Sequence, residues 1–337
     1  ALTKTKESRR HPMESGTKNT KSRMQLEAMT RKGFGGIGLH ASEDAVRELK
    51  DGWFNAAYAL RLADEREVVL KIAPAPNAEV MSYELNIMST EVAAMRLVGQ
   101  ATEIPVPRIL FHDDSRDVCD ADYFFMEKID GDNLDHVYEQ WSAQQKAVVD
   151  QEIGAIIRKV NAFPGTYFGY PGNPDLHAEH WIDAFQKIMD SVFADAARKS
   201  VVFDYTEKAL RAALDKHIET LQEVTKPCLV HWDAWRPNFF VKDGHVIGII
   251  DFERALWSEP LMEAQFRSLC WGGGTESLKG YGKTEFTPNE LRRCWLYLLH
   301  LALVMHVECY YRHYGTDKIF NSSRKLIDSA MAWLHAN

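Results

Sequence analysis

The segment PCLVHWDAWRPNFFVKDGHVIGIIDFERA, residues 227–255, decides how the rest of the chain is read. PCLV is a short apolar run that reads as a strand and delivers His231-Trp232-Asp233. Asn238 follows five residues after Asp233. NFFVKDGHV and VIGIIDFE read as two strands turning at Asp243-Gly244, a pair suited to a tight hairpin. The second strand ends at Asp251-Phe252-Glu253, thirteen residues after Asn238. Loops at strand ends present polar side chains while the strands hold their position. An Asp, an Asn and a second Asp are thereby brought to one place from two loops. A hard cation takes oxygen ligands, usually one or two carboxylates together with substrate phosphates. Phosphoryl transfer is mostly positioning and electrostatics. Asn238 and Asp251 suit metal ligation, and Asp233 suits orienting an acceptor hydroxyl and receiving its proton.

Upstream, residues 44–73 alternate apolar and polar around Asp51-Gly52 and Asp64-Glu65. Three antiparallel strands are expected at 45–51, 56–63 and 67–73, stopped by Pro74 and Pro76. Residues 80–99 carry apolar positions at helical spacing. IPVPRILFHD (104–113) and DYFFMEKID (122–130) read as two more strands. Downstream of Gly131 the texture turns helical, at 133–163, 178–223, 258–270 and 288–335. The expected fold class is α+β and two-lobed. A small antiparallel sheet with one helix (33–130) precedes a larger, mainly helical lobe (131–337). WGGGTESLKGYG (271–282) is expected to be a mobile rim.

The catalytic segment resembles the aminoglycoside phosphotransferase and choline kinase-like family, relatives of protein kinases, whose pattern is H-G-D-x-x-x-x-N followed by D-x-D/E. Here it reads His231-Trp232-Asp233-Ala234-Trp235-Arg236-Pro237-Asn238 and Asp251-Phe252-Glu253. The resemblance runs in outline from about residue 50 to the end of the chain. It implies a protein-kinase-like fold, ATP or GTP as donor, Mg²⁺, and a small-molecule hydroxyl as acceptor. It makes Asp233 the catalytic Asp and Asn238 and Asp251 the metal ligands. By the same resemblance His231 is similar to the residue that braces the catalytic loop, Glu253 is implied to support the metal site, Ser258-Glu259-Pro260 resembles the family's G-D-P segment, and Glu263 falls where the family often has a structural Asp. Two departures are Trp232 for the usual Gly and Trp235 where His is frequent. They point to an altered pocket wall.

Other segments fit the same frame. Lys71, in VVLKIAP, is placed to pair nucleotide phosphates with an acid on the next helix. Glu91 is the expected partner, which the resemblance favours because IPVPRIL (104–110) follows it at the family's usual interval, and Glu84 is the alternative. Asp51-Gly52-Trp53-Phe54-Asn55 sits where a phosphate-covering loop would lie, with Gly52 and Asn55 as contacts. DYFFMEKIDGDNL resembles the hinge between kinase lobes. Backbone groups of Glu127 to Ile129 would meet the adenine edge, with Met126 behind. Gly33-Phe34-Gly35-Gly36-Ile37-Gly38 matches a dinucleotide fingerprint literally but follows no strand, so it reads as a flexible joint.

For the acceptor, Trp181 and Asp183 in the helical insertion (about 165–200) and Trp257, Glu259, Trp271 and Glu276 in 256–285 offer indoles beside carboxylates. Such a wall would suit an aminoglycoside or other cationic amino sugar. A choline-, homoserine- or sugar-type metabolite kinase is the competing substrate reading. A metal-dependent hydrolase using His231, Asp233, Asp251 and Glu253 lacks the clustered imidazoles such sites need. A catalytically silent nucleotide-binding module is the alternative of another class, though Lys71, Asp233, Asn238 and Asp251 are all present and no lesion predicts it. A protein kinase would need a glycine loop and an A-P-E segment, which are absent.

Composition sets outer bounds. The net charge of −8 argues against nucleic acid as the main partner. Residues 1–32 hold nine Lys/Arg against three Asp/Glu and are expected to form a mobile basic arm, with a transit peptide or a tail for an anionic partner as alternatives. Five scattered cysteines without a C-x-x-C pair fit reduced thiols in a cytoplasmic protein. CWLYLLHLALVMHV (294–307) is too short to span a membrane, and is expected to be a core helix with His300 and His306 in the core or a pocket wall. A monomer or homodimer is expected.

Overall fold

The computed structural model describes residues 18–50, 52 and 54–337. The elements run α1 (Arg23–Gly33), β1 (Val46–Leu49), β2 (Ala56–Arg61), β3 (Glu67–Ile72), α2 (Ile87–Val98), β4 (Ile109–Asp113) and β5 (Tyr123–Glu127). Then come β6 (Asp132–Asn133), α3 (Leu134–Val137), α4 (Ala143–Val160), α5 (Trp181–Arg198) and α6 (Glu207–Asp215). The catalytic segment supplies β7 (Cys228–Val230), β8 (Phe239–Lys242) and β9 (His245–Ile249). After it follow β10 (Leu256–Ser258), α7 (Ala264–Arg267), α8 (Glu276–Tyr281), α9 (Pro288–Arg312) and α10 (Lys318–Ala336).

The first five strands form one antiparallel sheet in the order β1-β2-β3-β5-β4. Successive strand side chains point to opposite faces. Val68, Leu70, Ile72, Tyr123 and Phe125 therefore pack on one side. Val69, Phe124 and Met126 pack on the other, against Met88, Val92 and Met95 of α2 and Phe239, Ile249 and Phe252 of the second lobe. The sheet is sandwiched, which is why β3 is apolar along nearly its whole length. The β6-β8-β9 sheet and the β7–β10 pair carry the catalytic segment beneath the first lobe. The helical lobe closes around Trp181, Phe185, Tyr297 and Leu303.

Helix α1 corrects the expectation of a mobile arm for residues 23–32. Ser22 and Gln25 form a capping box, and Leu26 and Met29, one turn apart, are buried against the outer sheet face. Each such burial contributes about 1.5–3 kcal/mol. The basic charges that suggested solvation instead pair with the acidic 113–120 loop: Lys21 with Asp120, and Lys32 with Asp113 at 2.8 Å. Residues 1–17 of the expected arm lie outside the described residues. The glycines at 33–38 form the exit turn of this helix, with Gly35 and Gly36 at positive φ. The expected mobile rim also differs, because residues 276–281 are helix α8 laid on α4. A Cβ on Gly154 would stand 1.8 Å from the Ser277 carbonyl, and one on Gly280 1.9 Å from the Gln151 carbonyl. Two glycines on facing helices permit that approach. No described helix is long and apolar enough to cross a membrane.

Candidate active site

Strand β7 ends at His231, which is fully buried. Its backbone N–H donates to Glu263 at 2.8 Å, and its Nε2–H donates to the Ile250 carbonyl at 2.9 Å. His231 thus ties the catalytic loop to the end of β9, in a bracing position rather than a reacting one. Glu263 holds the loop from beneath. It also accepts the Trp232 N–H at 3.1 Å and the Asn161 amide at 2.9 Å.

Trp232 occupies the position where glycine was expected, at φ +68°. A bulky residue there costs on the order of 1–3 kcal/mol and persists only when its surroundings over-determine it. They do so here. The Trp232 carbonyl accepts from Arg267 at 2.6 Å, the guanidinium groups of Arg254 and Arg267 lie 5.2 and 4.4 Å from the indole, and His300 meets it edge-on. Burial holds His300 neutral, at a pKa of about 3.

Asp233 follows, with about a quarter of its side chain exposed. Burial pushes its carboxyl up, opposed by Arg254. The Asn238 amide donates to the Asp233 carbonyl at 2.8 Å, and Ile250 N–H donates to the Asn238 carbonyl at 3.0 Å. The loop carrying Asp233 and Asn238 is therefore stitched to the strand end carrying Asp251. Asp251 itself sits at φ +71°, which turns its side chain out of the strand line toward the sheet above.

From that sheet Lys71 descends. Its Nζ lies 2.7 and 2.8 Å from the two Glu91 oxygens, 2.7 Å from Asp251 and 4.0 Å from Glu253. Burial disfavours the ammonium, but the Asp251, Glu91 and Glu253 carboxylates outweigh it and raise the Lys71 pKa. Burial pushes Asp251 up, yet the Lys71 charge and hydrogen bond hold it below its ordinary value. Of the two candidate partners, Glu91 meets Lys71, whereas Glu84 faces away and pairs with Arg312. Glu253 is pushed well up by burial and by Asp251, and accepts the Asn55 amide at 2.7 Å. Oxygens of Glu91, Asp251 and Glu253 all lie within 4.8 Å of one another. These carboxylates are gathered around the Lys71 ammonium, and the oxygens of Asp251 and Glu253 are the kind of hard donor a divalent ion such as Mg²⁺ takes.

The remaining expectations divide. In the phosphate-covering loop, Gly52 is exposed and Asn55 buried, while Asp51 and Trp53 lie outside the described residues. Met126 is buried at the inner face, Glu127 ion-pairs with Arg108, and Ile129 packs on Gly248 of β9, so the hinge segment rests on the second lobe. The acceptor wall is corrected at three positions. Trp181 is fully buried and donates its indole N–H to Tyr297 at 2.7 Å. Glu259 is buried and bound by Arg293 at 2.8 Å and by the Tyr297 hydroxyl. Glu276 is held by Lys279 at 2.5 Å and Gln151 at 2.7 Å. Helical packing and buried arginines explain all three. Asp183 and Trp181 line a cavity of about 480 Å³ with Glu179, Leu221 and Val224, and none of its lining residues belongs to the catalytic segment. Trp257 is half-buried against Gly165, and Trp271 is 46% exposed. Arg254, three residues after Asp251, was not singled out from the sequence. Its signal was a lone basic residue directly following Asp251-Phe252-Glu253 in IIDFERAL.

Residues 45–284 match the model of the phosphotransferase enzyme family, whose short name is APH. Among solved structures, a thermostable mutant of aminoglycoside phosphotransferase APH(4)-Ia in ternary complex with ADP and hygromycin B superposes with TM-score 0.66. The identity is 15%, covering 93% of this chain and 99% of that one. The streptomycin–ATP complex of APH(2")-IIa gives TM-score 0.59 at 14% identity, covering 93% of this chain and 99% of that one. A curated relative, the subtelomeric hrmA-associated cluster protein of Aspergillus fumigatus, is 26% identical over 125 residues, 37% of this chain. The match spans about a quarter of that relative's length (24%).

Proposed function

The chain belongs to the phosphotransferase enzyme family and has the kinase-like fold of its small-molecule kinases, and from that premise we propose that it moves the γ-phosphoryl group of a nucleoside triphosphate onto a hydroxyl of a small molecule through the site just described. The observation that carries the reading is the Lys71 ammonium. It bridges Glu91 of α2 and Asp251 of the other lobe, residues 160 positions apart in the chain, and so clamps both lobes at one point.

In this reading Lys71 meets nucleotide phosphates while Glu91 fixes its direction. Gly52 and Asn55 cover the phosphates, and the backbone of Glu127 to Ile129 meets the base, ATP or GTP, with Met126 behind. Asn238 and Asp251 would hold Mg²⁺, with Glu253 beside them. The ion supplies charge neutralisation across the phosphate oxygens. Asp233 orients the acceptor hydroxyl and takes its proton as the new O–P bond forms and the bond to the β-phosphate oxygen breaks. His231 stays hydrogen-bonded to Ile250 throughout, holding the loop.

The acceptor is a small-molecule alcohol. The case for a cationic amino sugar weakens, because Glu259 and Glu276 are already bound by side chains of the protein itself. The test is consumption of Mg·ATP and Mg·GTP against a panel of hydroxylated amines, antibiotics, sugars and hydroxy acids, with products identified by phosphorus NMR. Nucleotide-dependent phosphorylation of at least one alcohol, lost in Asp233→Asn, is the expected result. Absence of Mg·nucleotide binding would overturn the reading.

A further inference from the structure

Arg254 presents an arrangement the reading above does not use. It lies 8% exposed at the exit of the Asp251-Phe252-Glu253 turn. Its guanidinium is held between two aromatic faces, 5.6 Å from the Tyr83 ring and 5.2 Å from the Trp232 ring. One end is pinned, with Nη2 2.9 Å from Glu308 of α9. Glu308 is itself fixed by the Tyr83 hydroxyl and by Arg312, which pairs on with Glu84 and lies 4.9 Å from the Phe54 ring. The other edge is free. Arg254 Nε is a buried donor without a hydrogen-bond partner among the described residues, and it stands 3.9 Å from Asp233 Oδ2. A buried N–H left unpaired costs on the order of 1–3 kcal/mol, so an arginine anchored on three sides and orphaned on the fourth calls for a use.

Resting on the phosphotransfer reading, we propose that Arg254 is the positioning residue for Asp233: its Nε–H closes the remaining gap onto Oδ2 when Mg·nucleotide fills the cleft. The charge-assisted bond then holds Oδ2, and Oδ1 faces the acceptor oxygen. The acceptor proton passes to Asp233, the acceptor oxygen bonds to the γ-phosphorus as the bond to the β-phosphate oxygen breaks and the nucleoside diphosphate leaves, and Arg254 stays protonated throughout. The cation also offsets the negative charge brought beside Asp233 by the arriving phosphoryl group. Glu308 supplies the fixed end of the lever, so a residue late in α9 acts on the catalytic loop.

The test uses the full chain and transfer of labelled γ-phosphate from ATP to water, which needs no identified acceptor. Mg·ATP affinity is measured separately by calorimetry. Asp233→Asn, run in parallel, probes the underlying reading: undiminished transfer in that variant, or no Mg·ATP binding by the parent protein, overturns that reading and this inference with it. With the reading intact, Arg254→Gln is expected to lower kcat about 100-fold, in the range seen when one oriented donor is removed, with Mg·ATP affinity within twofold. Guanidinium added to Arg254→Ala restores at least tenfold. Single variants leave the buried Glu308 with only Tyr83 and Arg312 as partners, so Arg254→Met combined with Glu308→Met removes both charges of the pair together and is expected to bind Mg·ATP while lacking turnover. Retention of kcat within threefold in Arg254→Gln or in the double variant overturns the proposal. So does joint loss of affinity and turnover in Arg254→Gln without guanidinium rescue of Arg254→Ala.

Discussion

The catalytic segment 227–255 and the flanking stretches 165–200 and 256–285 are both rich in acids and indoles, yet their side chains meet opposite fates. In the first, Asp233, Asn238 and Asp251 emerge from tight turns, with the Asn238 amide bonded to the Asp233 carbonyl and Asp251 meeting Lys71. In the second, Trp181 goes to the core and Glu259 and Glu276 are bound by neighbours. The difference lies in how each side chain is placed. A residue at the end of a short strand is aimed by backbone geometry within a few positions of chain. A residue on a helix is aimed by whatever helix packs against it.

That contrast can be broken or sharpened experimentally. The largest effect is expected from Asp233→Asn, a loss of about 10²–10⁴ in turnover with nucleotide affinity kept, read by steady-state kinetics beside calorimetry. Comparable affinity and turnover in both proteins would detach Asp233 from the chemistry. Next, Glu91→Ala should destabilise the fold by about 3–5 kcal/mol in urea titrations, because it removes a main counter-charge from a buried lysine, and should weaken Mg·ATP binding. An unchanged midpoint would show the clamp to be dispensable.

Trp232→Gly sets two terms against each other. Relief of the left-handed backbone returns about 1–3 kcal/mol, while loss of a buried indole between two guanidinium groups costs about 3–5 kcal/mol. Packing wins, and net destabilisation of about 2 kcal/mol is expected by thermal or urea unfolding. A more stable variant would show the strain to be the greater term. The smallest effect belongs to the other region: Glu276→Gln should leave acceptor turnover within twofold, since that carboxylate serves Lys279 and Gln151. A marked change in acceptor KM would return Glu276 to the pocket wall.

The legible part of the molecule follows the same division. The five strands of the first sheet and the two loops of segment 227–255 were readable because each depends on local alternation, turn residues or short fixed spacing, while Glu91 was chosen over Glu84 as the Lys71 partner by family resemblance. Helix α1 was hidden by its charges. Only the acidic loop across the sheet shows that those charges are partnered, so that Leu26 and Met29 can be buried. The short strand β10 was hidden for a related reason, since its three residues become a strand only by pairing with β7. Arg254 was passed over because its partners stand at Asp233 and Glu308, far from it in sequence on both sides.

By itself, the order of residues determined the strands and turns of segment 227–255 and which polar residues those turns carry. Strand alternation and loop spacing are short-range constraints that each segment carries along its own length. Tertiary structure alone decided which acids remain free to meet a ligand and which are consumed by buried arginines. The Arg293–Glu259 and Arg312–Glu84 pairings are settled between partners distant in the chain, and no local pattern records who arrives to neutralise whom.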